Sequence, residues 1–358
     1  MTLRMNRLVL VSVGFAALSA VPSRAAEYRE SSYVFGTIAQ ITVVDSDAAR
    51  AQTAMRRVFR EFDRMHRELH AWKEGDLVAL NRAIARGERN VRTTAEIAVL
   101  ILRSRRLATQ SGDLFNPAIG RLVSLWSFHR DKPGGPVPDA QDIRRLVEAH
   151  PRMSDLSVRS ERVTSANRAV QLDFGGYAKG YALDRAAELF RAAGVVNALI
   201  DIGGNAMALG RHDGRAWRVG LDSPRGAGLL ATLDLNDGEA VGTSGDYRRY
   251  YEIDGKRYAH IIDPRTGYPV PGVESVTVLI PRGAGAGALS DAASKPIFIE
   301  GPGRWKEAAA RMGVSCAMLV DADGVVHITR ELKARLRFAD PAGRLKPAAR
   351  IRNPLPGC

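Results

Sequence analysis

Four segments of this sequence combine acids, glycines, hydroxyls and a histidine in ways that suit phosphate and proton chemistry. Asp173-Phe174-Gly175-Gly176-Tyr177-Ala178-Lys179-Gly180-Tyr181 sits where a strand-like run passes into a helix-like one. Glycines there let the backbone approach a ligand closely, free N–H groups at a helix start attract phosphate, and Lys179 adds a mobile positive charge suited to a diphosphate. Without a ligand, the same residues read as a tight strand-to-helix turn with a surface lysine. Asp201-Ile202-Gly203-Gly204-Asn205 repeats the grammar of acid, two glycines and a short polar residue, though Gly-Gly also marks bulges and turns. Thr243-Ser244-Gly245-Asp246-Tyr247 offers two hydroxyls to a phosphate or ribose, and equally forms a turn. His260-Ile261-Ile262-Asp263-Pro264-Arg265-Thr266-Gly267 closes a strand with the side chain best suited to proton transfer near neutral pH. A hydrogen-bonded structural histidine before an Asp-Pro turn fits those residues as well.

Two further patterns fail on context. Gly283-Ala284-Gly285-Ala286-Gly287-Ala288 has dinucleotide-binding spacing, but Pro281-Arg282 separate it from the preceding strand and the opening βαβ unit is missing. His66 and His70 stand four apart like a zinc pair, yet Glu68 is out of the H-E-x-x-H position and no third ligand is evident. Both histidines are expected to be exposed on a helix.

The elements that must position these groups follow from periodicity. Gly36 to Val44 alternates β-branched residues as a strand does. Ser46 is the expected N-cap of a helix whose stripe runs through Met55, Val58, Phe59, Phe62, Met65 and Leu69. A second helix is predicted from Thr93-Thr94 to Gly112, with Glu96 in its first turn, and a third from Gly180 to Gly194. From Val170 to Ile280, short strand-like runs alternate with turns; Asp254-Gly255 between two of them signals a type I′ hairpin. Helices resume over Ala288 to Ile299 and Gly303 to Met312, and two strands flank Asp321-Ala322-Asp323-Gly324. Helices and antiparallel strands segregate in the α+β manner. No linker divides the chain, since Lys132 to Pro138, the most Pro/Gly-rich stretch, is only a loop.

Residues 1–26 read as a signal peptide: Arg4 and Arg7 precede an apolar run from Leu8 to Val21, and Ser23-Arg24-Ala25 suits cleavage. That run is shorter than the roughly 20 residues a membrane span needs. No cysteine lies just beyond it, so the expected location is periplasmic or secreted without a lipid anchor. The formal charge is +13, of which residues 27–358 retain +10. Such a surface favours anionic partners or is simply solvated, and no basic run interleaved with aromatics points to nucleic acid. Cys316 and Cys358 do not amount to a disulfide framework, so core strength must come from packing.

Taken in order, the motifs resemble the FAD:protein FMN transferase family, formerly described as thiamine-biosynthesis lipoproteins. The resemblance covers residues 35–299 and rests also on Phe35-Gly36-Thr37, Leu77-Val78-Ala79-Leu80-Asn81, Ser111-Gly112-Asp113-Leu114-Phe115-Asn116-Pro117, Leu122-Val123-Ser124-Leu125-Trp126 and the Asp291 segment. It implies a single α+β domain of the T-fold-like kind over residues 27–358, with a basic tail from about residue 330. It further implies FAD as donor, Mg²⁺ as cofactor, and transfer of FMN through a phosphoester to a Thr or Ser hydroxyl of a membrane-bound electron-transfer subunit, with release of AMP. Carried over by position, Phe35, Trp72, Leu114, Phe115, Asn116, Asp173, Lys179 and Ile262 line the FAD, and Thr243 and Ser244 contact it. Trp72 falls where the family stacks an aromatic on adenine. The Gly176 carbonyl and the Asp291 carboxylate face the metal, and His260 matches the histidine important for transfer.

Two positions depart from the family pattern. Lys295 stands where the family has a metal-binding Thr, and a protonated ammonium is no metal ligand. Ser294 substitutes for that hydroxyl, a water does, or Lys295 supplies part of the cation's charge. Asn116 replaces the usual Asp and removes a negative charge near the nucleotide. Besides the transferase, the residues admit a non-catalytic FAD-binding protein and a pyrophosphatase that splits FAD into FMN and AMP.

Overall fold

The computed structural model describes residues 25–339. All but the last two residues of the expected signal segment, and Cys358 with most of the basic tail, lie outside the described residues. The centre of the fold is an eight-stranded antiparallel sheet whose strands lie side by side in chain order. They are β1 (Ala26–Val34), β2 (Thr37–Asp45), β3 (Ala198–Ile202), β4 (Asn205–Leu209), β5 (Ala240–Gly245), β6 (Val273–Ile280), β7 (Cys316–Asp321) and β8 (Val326–Ile328). The helices α1 (Ala48–Glu68), α2 (Asp76–Arg86), α3 (Ala95–Ser111), α4 (Ala178–Ala192) and α5 (Ala286–Arg311) belong to the larger core, on the face that presents Ile41, Ile200, Val276 and Val278. On the opposite face Val241, Leu279 and Met318 meet Trp217, Val219 and Leu233 of a three-stranded sheet formed by Trp217–Asp222, Leu229–Leu235 and Leu336–Phe338. Antiparallel sheets with segregated helices meet the α+β expectation.

Local chemistry explains most boundaries. The expected strand at Gly36 is β2, but it is preceded by β1, whose polar residues alternate at the sheet edge and leave Tyr33 72% exposed. Phe35 and Gly36 form the connecting turn with φ of 53° and 72°. A two-residue hairpin matched to strand twist requires positive φ at both positions, and Phe35 adopts it at a steric cost. The cap of α1 is Asp47, one residue beyond the expected Ser46; its carboxylate accepts from Arg50 N. Thr94 caps α3 through a 3.2 Å bond from Ile97 N, and the helix ends at Gly112 as expected. The Asp254-Gly255 hairpin joins Tyr250–Ile253 to Lys256–Ala259. The two helices expected after Ala288 form one element broken at Gly301, with Pro302 opening the second segment.

α4 and α5 cross at two glycines. A Cβ on Gly180 would stand 2.2 Å from the Gly287 carbonyl oxygen, and one on Gly287 would stand 2.4 Å from that of Gly180. The glycines that mimic a dinucleotide fingerprint therefore open a helix and let it touch its neighbour's backbone. Asp184 of α4 accepts from Gly287 N and Ala288 N, both at 2.9 Å, and so caps α5 from outside. Burial pushes its carboxyl up to about 6 against those two donors. Asp184→Ala leaves both buried donors without acceptors and is expected to cost roughly 2–4 kcal/mol. Urea unfolding measures this, and an unchanged midpoint would show that the cap is unimportant.

The expected basic tail is folded at its start. Arg330–Arg335 is a helix, Leu336–Phe338 pairs with Leu229–Leu235, and Leu332 and Leu336 are buried. Arg335 donates to both carboxylate oxygens of Glu239, at 3.0 and 2.7 Å. The positive charge of this segment is thus partly spent on holding the small sheet to the large one.

Candidate active site

The glycine crossing places the start of α4 against the second turn of α5. Asp291, 1% exposed, accepts from Gly180 N through Oδ2 at 3.1 Å. Its Oδ1 pairs with the Lys295 ammonium and lies 3.7 Å from that of Lys179. Lys295 also donates to the Asp291 carbonyl at 2.7 Å. Burial alone would raise the Asp291 carboxyl, but the two ammonium groups and the Gly180 N–H hold it well below the usual carboxylate range. Burial lowers Lys295 to about 8, against the pull of Asp291.

The residues expected to face a metal converge, and a lysine lies among them. Lys295 Cε would be 3.3 Å from a Cβ placed on Gly176, so its side chain lies close to Gly176 and pairs with Asp291. Ser294 does not take over as ligand: its hydroxyl bonds Ser244 at 2.7 Å and the Asp291 carbonyl at 2.8 Å. Among the described residues, no group of three or more His, Cys, Asp or Glu side chains is placed to hold a metal ion. Mg²⁺ demands near-octahedral oxygen ligands, and an ammonium beside it repels it. The donor set around Asp291 therefore does not fit a divalent ion.

His260 follows the strand Lys256–Ala259 and is fixed by Arg249, whose carbonyl accepts from His260 N at 3.1 Å and lies 3.2 Å from Nδ1. A carbonyl only accepts, so Nδ1 carries the hydrogen and Nε2 keeps its lone pair. Burial, then Arg249, Lys179 and Lys295, push the imidazole down to about 3. It is neutral at physiological pH. The Arg249 side chain donates to Arg130 O at 2.8 Å, while its buried Nε has no partner. The next loop is anchored by Trp126, which donates to Gly267 O at 2.8 Å and stacks on Tyr258.

A second set of backbone pairs brings the Asp173 segment to the Leu114 segment. Asn81 exchanges two hydrogen bonds with the backbone of Leu172, at 2.9 and 2.8 Å, and Asp173 N donates to Pro117 O at 2.8 Å. Asp173, raised by burial, accepts from Gly175 N and sits in the field of Arg249. Leu114, Phe115 and Ile262 are buried apolar packing, and the amide of Asn116 is used by Pro151 O and Ala118 N. Trp72 is half-buried, with its ring centroid 5.2 Å from that of His129. His70 Nδ1 accepts from Trp72 N and Lys73 N, both at 3.1 Å, and so fixes the Trp72 loop.

One expectation changes. His66 and His70 are half-buried, not exposed: His66 packs edge-on against Phe35 at 5.8 Å and His70 holds Trp72. Thr243 and Ser244, adjacent on β5, point to opposite faces as strand neighbours must. Only Ser244 reaches the Asp291 cluster, whereas Thr243 pairs with Thr277 at 3.0 Å on the adjacent strand. Arg249, His129 and His70 were not singled out as site residues. Arg249 follows the hydroxyl motif as the second half of an Arg-Arg pair, which sequence alone reads as solvated surface.

Residues 35–319 match the ApbE family. The chain is 40% identical over 316 residues to an FAD:protein FMN transferase of Rhodobacter capsulatus, covering 88% of this chain and 60% of that relative. It is 34% identical over 286 residues to one from Treponema pallidum, covering 75% and 79%. The crystal structure of an ApbE protein from Thermotoga maritima superposes with a TM-score of 0.77 at 28% identity, covering 87% of this chain and all of that one. Apo flavinyl transferase ApbE of Pseudomonas stutzeri does so with a TM-score of 0.74 at 27% identity, covering 87% and 97%. Four-fifths of the sequence thus carries the family's pattern on the family's fold, and the chain belongs to the ApbE family.

Proposed function

We propose that this chain transfers FMN from FAD to a Thr or Ser hydroxyl of an acceptor protein and releases AMP. The observation that carries the reading is a neutral His260 with a free Nε2 in the field of Arg249, Lys179 and Lys295. That arrangement suits a diphosphate and a hydroxyl nucleophile together. The names of the relatives support the same reaction.

The acceptor oxygen attacks the phosphorus on the FMN side, forming a new P–O bond. The bond from that phosphorus to the bridging oxygen breaks, and the oxygen leaves with AMP. His260 Nε2 takes the hydroxyl proton, and the anionic diphosphate offsets the positive field that keeps the imidazole neutral in the free protein. Lys179 and Arg249 counter the charge that develops on the leaving oxygen. Trp72 offers a face for adenine; Phe35, Asp173 and Ser244 border the remainder, with Leu114, Phe115, Asn116 and Ile262 packed behind them. The Mg²⁺ that the resemblance implies has no fitting donor set at Asp291. The acceptor is a membrane-bound electron-transfer subunit, met in the periplasm or outside the cell after removal of residues 1–26.

The test incubates residues 27–358 with FAD and a Thr-containing flavin acceptor domain. Mass spectrometry is expected to find one FMN per acceptor, with equimolar AMP released. AMP without an adduct would establish a pyrophosphatase, and bound FAD with neither product a non-catalytic flavin carrier; either overturns the proposal.

A further inference from the structure

We infer that the Lys295 ammonium takes the place of a divalent cation in this site, so that the chain works on FAD without Mg²⁺. The inference rests on the proposed transferase reading and concerns how its charge is supplied. Asp291 and Lys295 are four apart on α5, the spacing at which two side chains meet on one helix face. The ammonium bonds both the carboxylate and the carbonyl of Asp291, and the lysine stem lies against Gly176. These are the oxygen-bearing residues a metal would have used. Lys295 is only 15% exposed and Lys179 23%, and both are within the field of His260. Two ammonium groups against one carboxylate leave a net positive charge, and both ammonium groups favour the neutral form of the His260 imidazole.

The surroundings exclude an easy return of the metal. Ser294, the hydroxyl next to Lys295 in sequence, is bonded to Ser244 and to the backbone. Asp291 Oδ2 is committed to Gly180 N, which is held by the glycine crossing. A cation entering between Gly176 and Asp291 would have to displace Lys295 and leave an ammonium beside it. A buried Lys–Asp pair with no role in the reaction would exclude the metal too, but it would not make FMN transfer independent of Mg²⁺.

The experiment has two independent readouts. The first titrates MnCl₂ into the FAD-bound chain and follows free Mn²⁺ by electron paramagnetic resonance. The unmodified protein is expected to leave the free-ion signal unchanged, whereas Lys295→Thr binds one Mn²⁺ per chain. The second measures FMN transfer with EDTA or with MgCl₂. The unmodified chain is expected to turn over equally in both, Lys295→Thr to require Mg²⁺, and Lys295→Met to slow by roughly 10²-fold with no rescue by Mg²⁺. One Mn²⁺ bound by the unmodified chain, EDTA inhibition reversed by Mg²⁺, or a folded Lys295→Thr that binds no Mn²⁺ would each overturn the inference. If no FMN adduct forms under any condition the transferase reading fails, and the Mn²⁺ titration still decides the role of Lys295.

Discussion

Asp291→Ala is expected to abolish FMN transfer, by about 10³-fold or more, and to destabilise the protein by roughly 3–5 kcal/mol. Both effects come from one carboxylate. Its removal leaves the Lys179 and Lys295 ammonium groups without their counter-charge and the Gly180 N–H without an acceptor. A buried charge that loses its partner costs more than the pair had contributed, because neither solvent nor another group replaces it. Lys295, already lowered to about 8 beside Asp291, then gives up its proton near neutral pH and takes the site's cation with it. Asp291→Asn keeps an acceptor for Gly180 N, so it should recover part of the stability and none of the transfer. Adduct formation by mass spectrometry and urea unfolding measure the two quantities. Retained transfer in Asp291→Ala would remove this residue from the centre of the site.

His260→Ala is expected to slow transfer by about 10²–10⁴-fold while FAD affinity, read by flavin fluorescence, changes little. The imidazole also has a pH signature. Its folded value is near 3 and its ordinary value 6.5, so between these the unfolded chain binds more protons than the folded one. Stability is therefore complete above about 6.5 and falls as pH drops towards 3. His260→Gln cannot be protonated there and should lose less stability between pH 7.5 and pH 5 than the unsubstituted protein. Equal losses in the two proteins between pH 7.5 and pH 5 would mean that His260 is not held neutral by its surroundings.

Local grammar was legible where a residue's own chemistry decides its conformation. Thr94 and Gly112 bound α3 because capping and chain reversal need those residue types, and Asp254-Gly255 made its hairpin for the same reason. The edge strand β1 was missed, since a strand with solvent on much of its surface has no apolar alternation to reveal it. The site divides similarly. The meeting of Asp291 and Lys295 follows from four residues of helix, and the trouble it makes for a metal could be anticipated. That Ser294 is unavailable could not, because its partner Ser244 is 50 residues away. Nor could Arg249, whose value comes from lying beside His260 and Asp173.

The facing glycines of α4 and α5 also govern motion. Helices packed through long side chains can shear past one another by exchanging rotamers, but two backbones in direct contact have no such give. Sliding α5 by one turn would bring a side chain to the crossing, where a Cβ would stand 2.2–2.4 Å from a backbone oxygen, so this pair is a fixed bearing. In the proposed reaction, the motion that lets product leave is then expected in the loops around α4 and α5, not between the two helices.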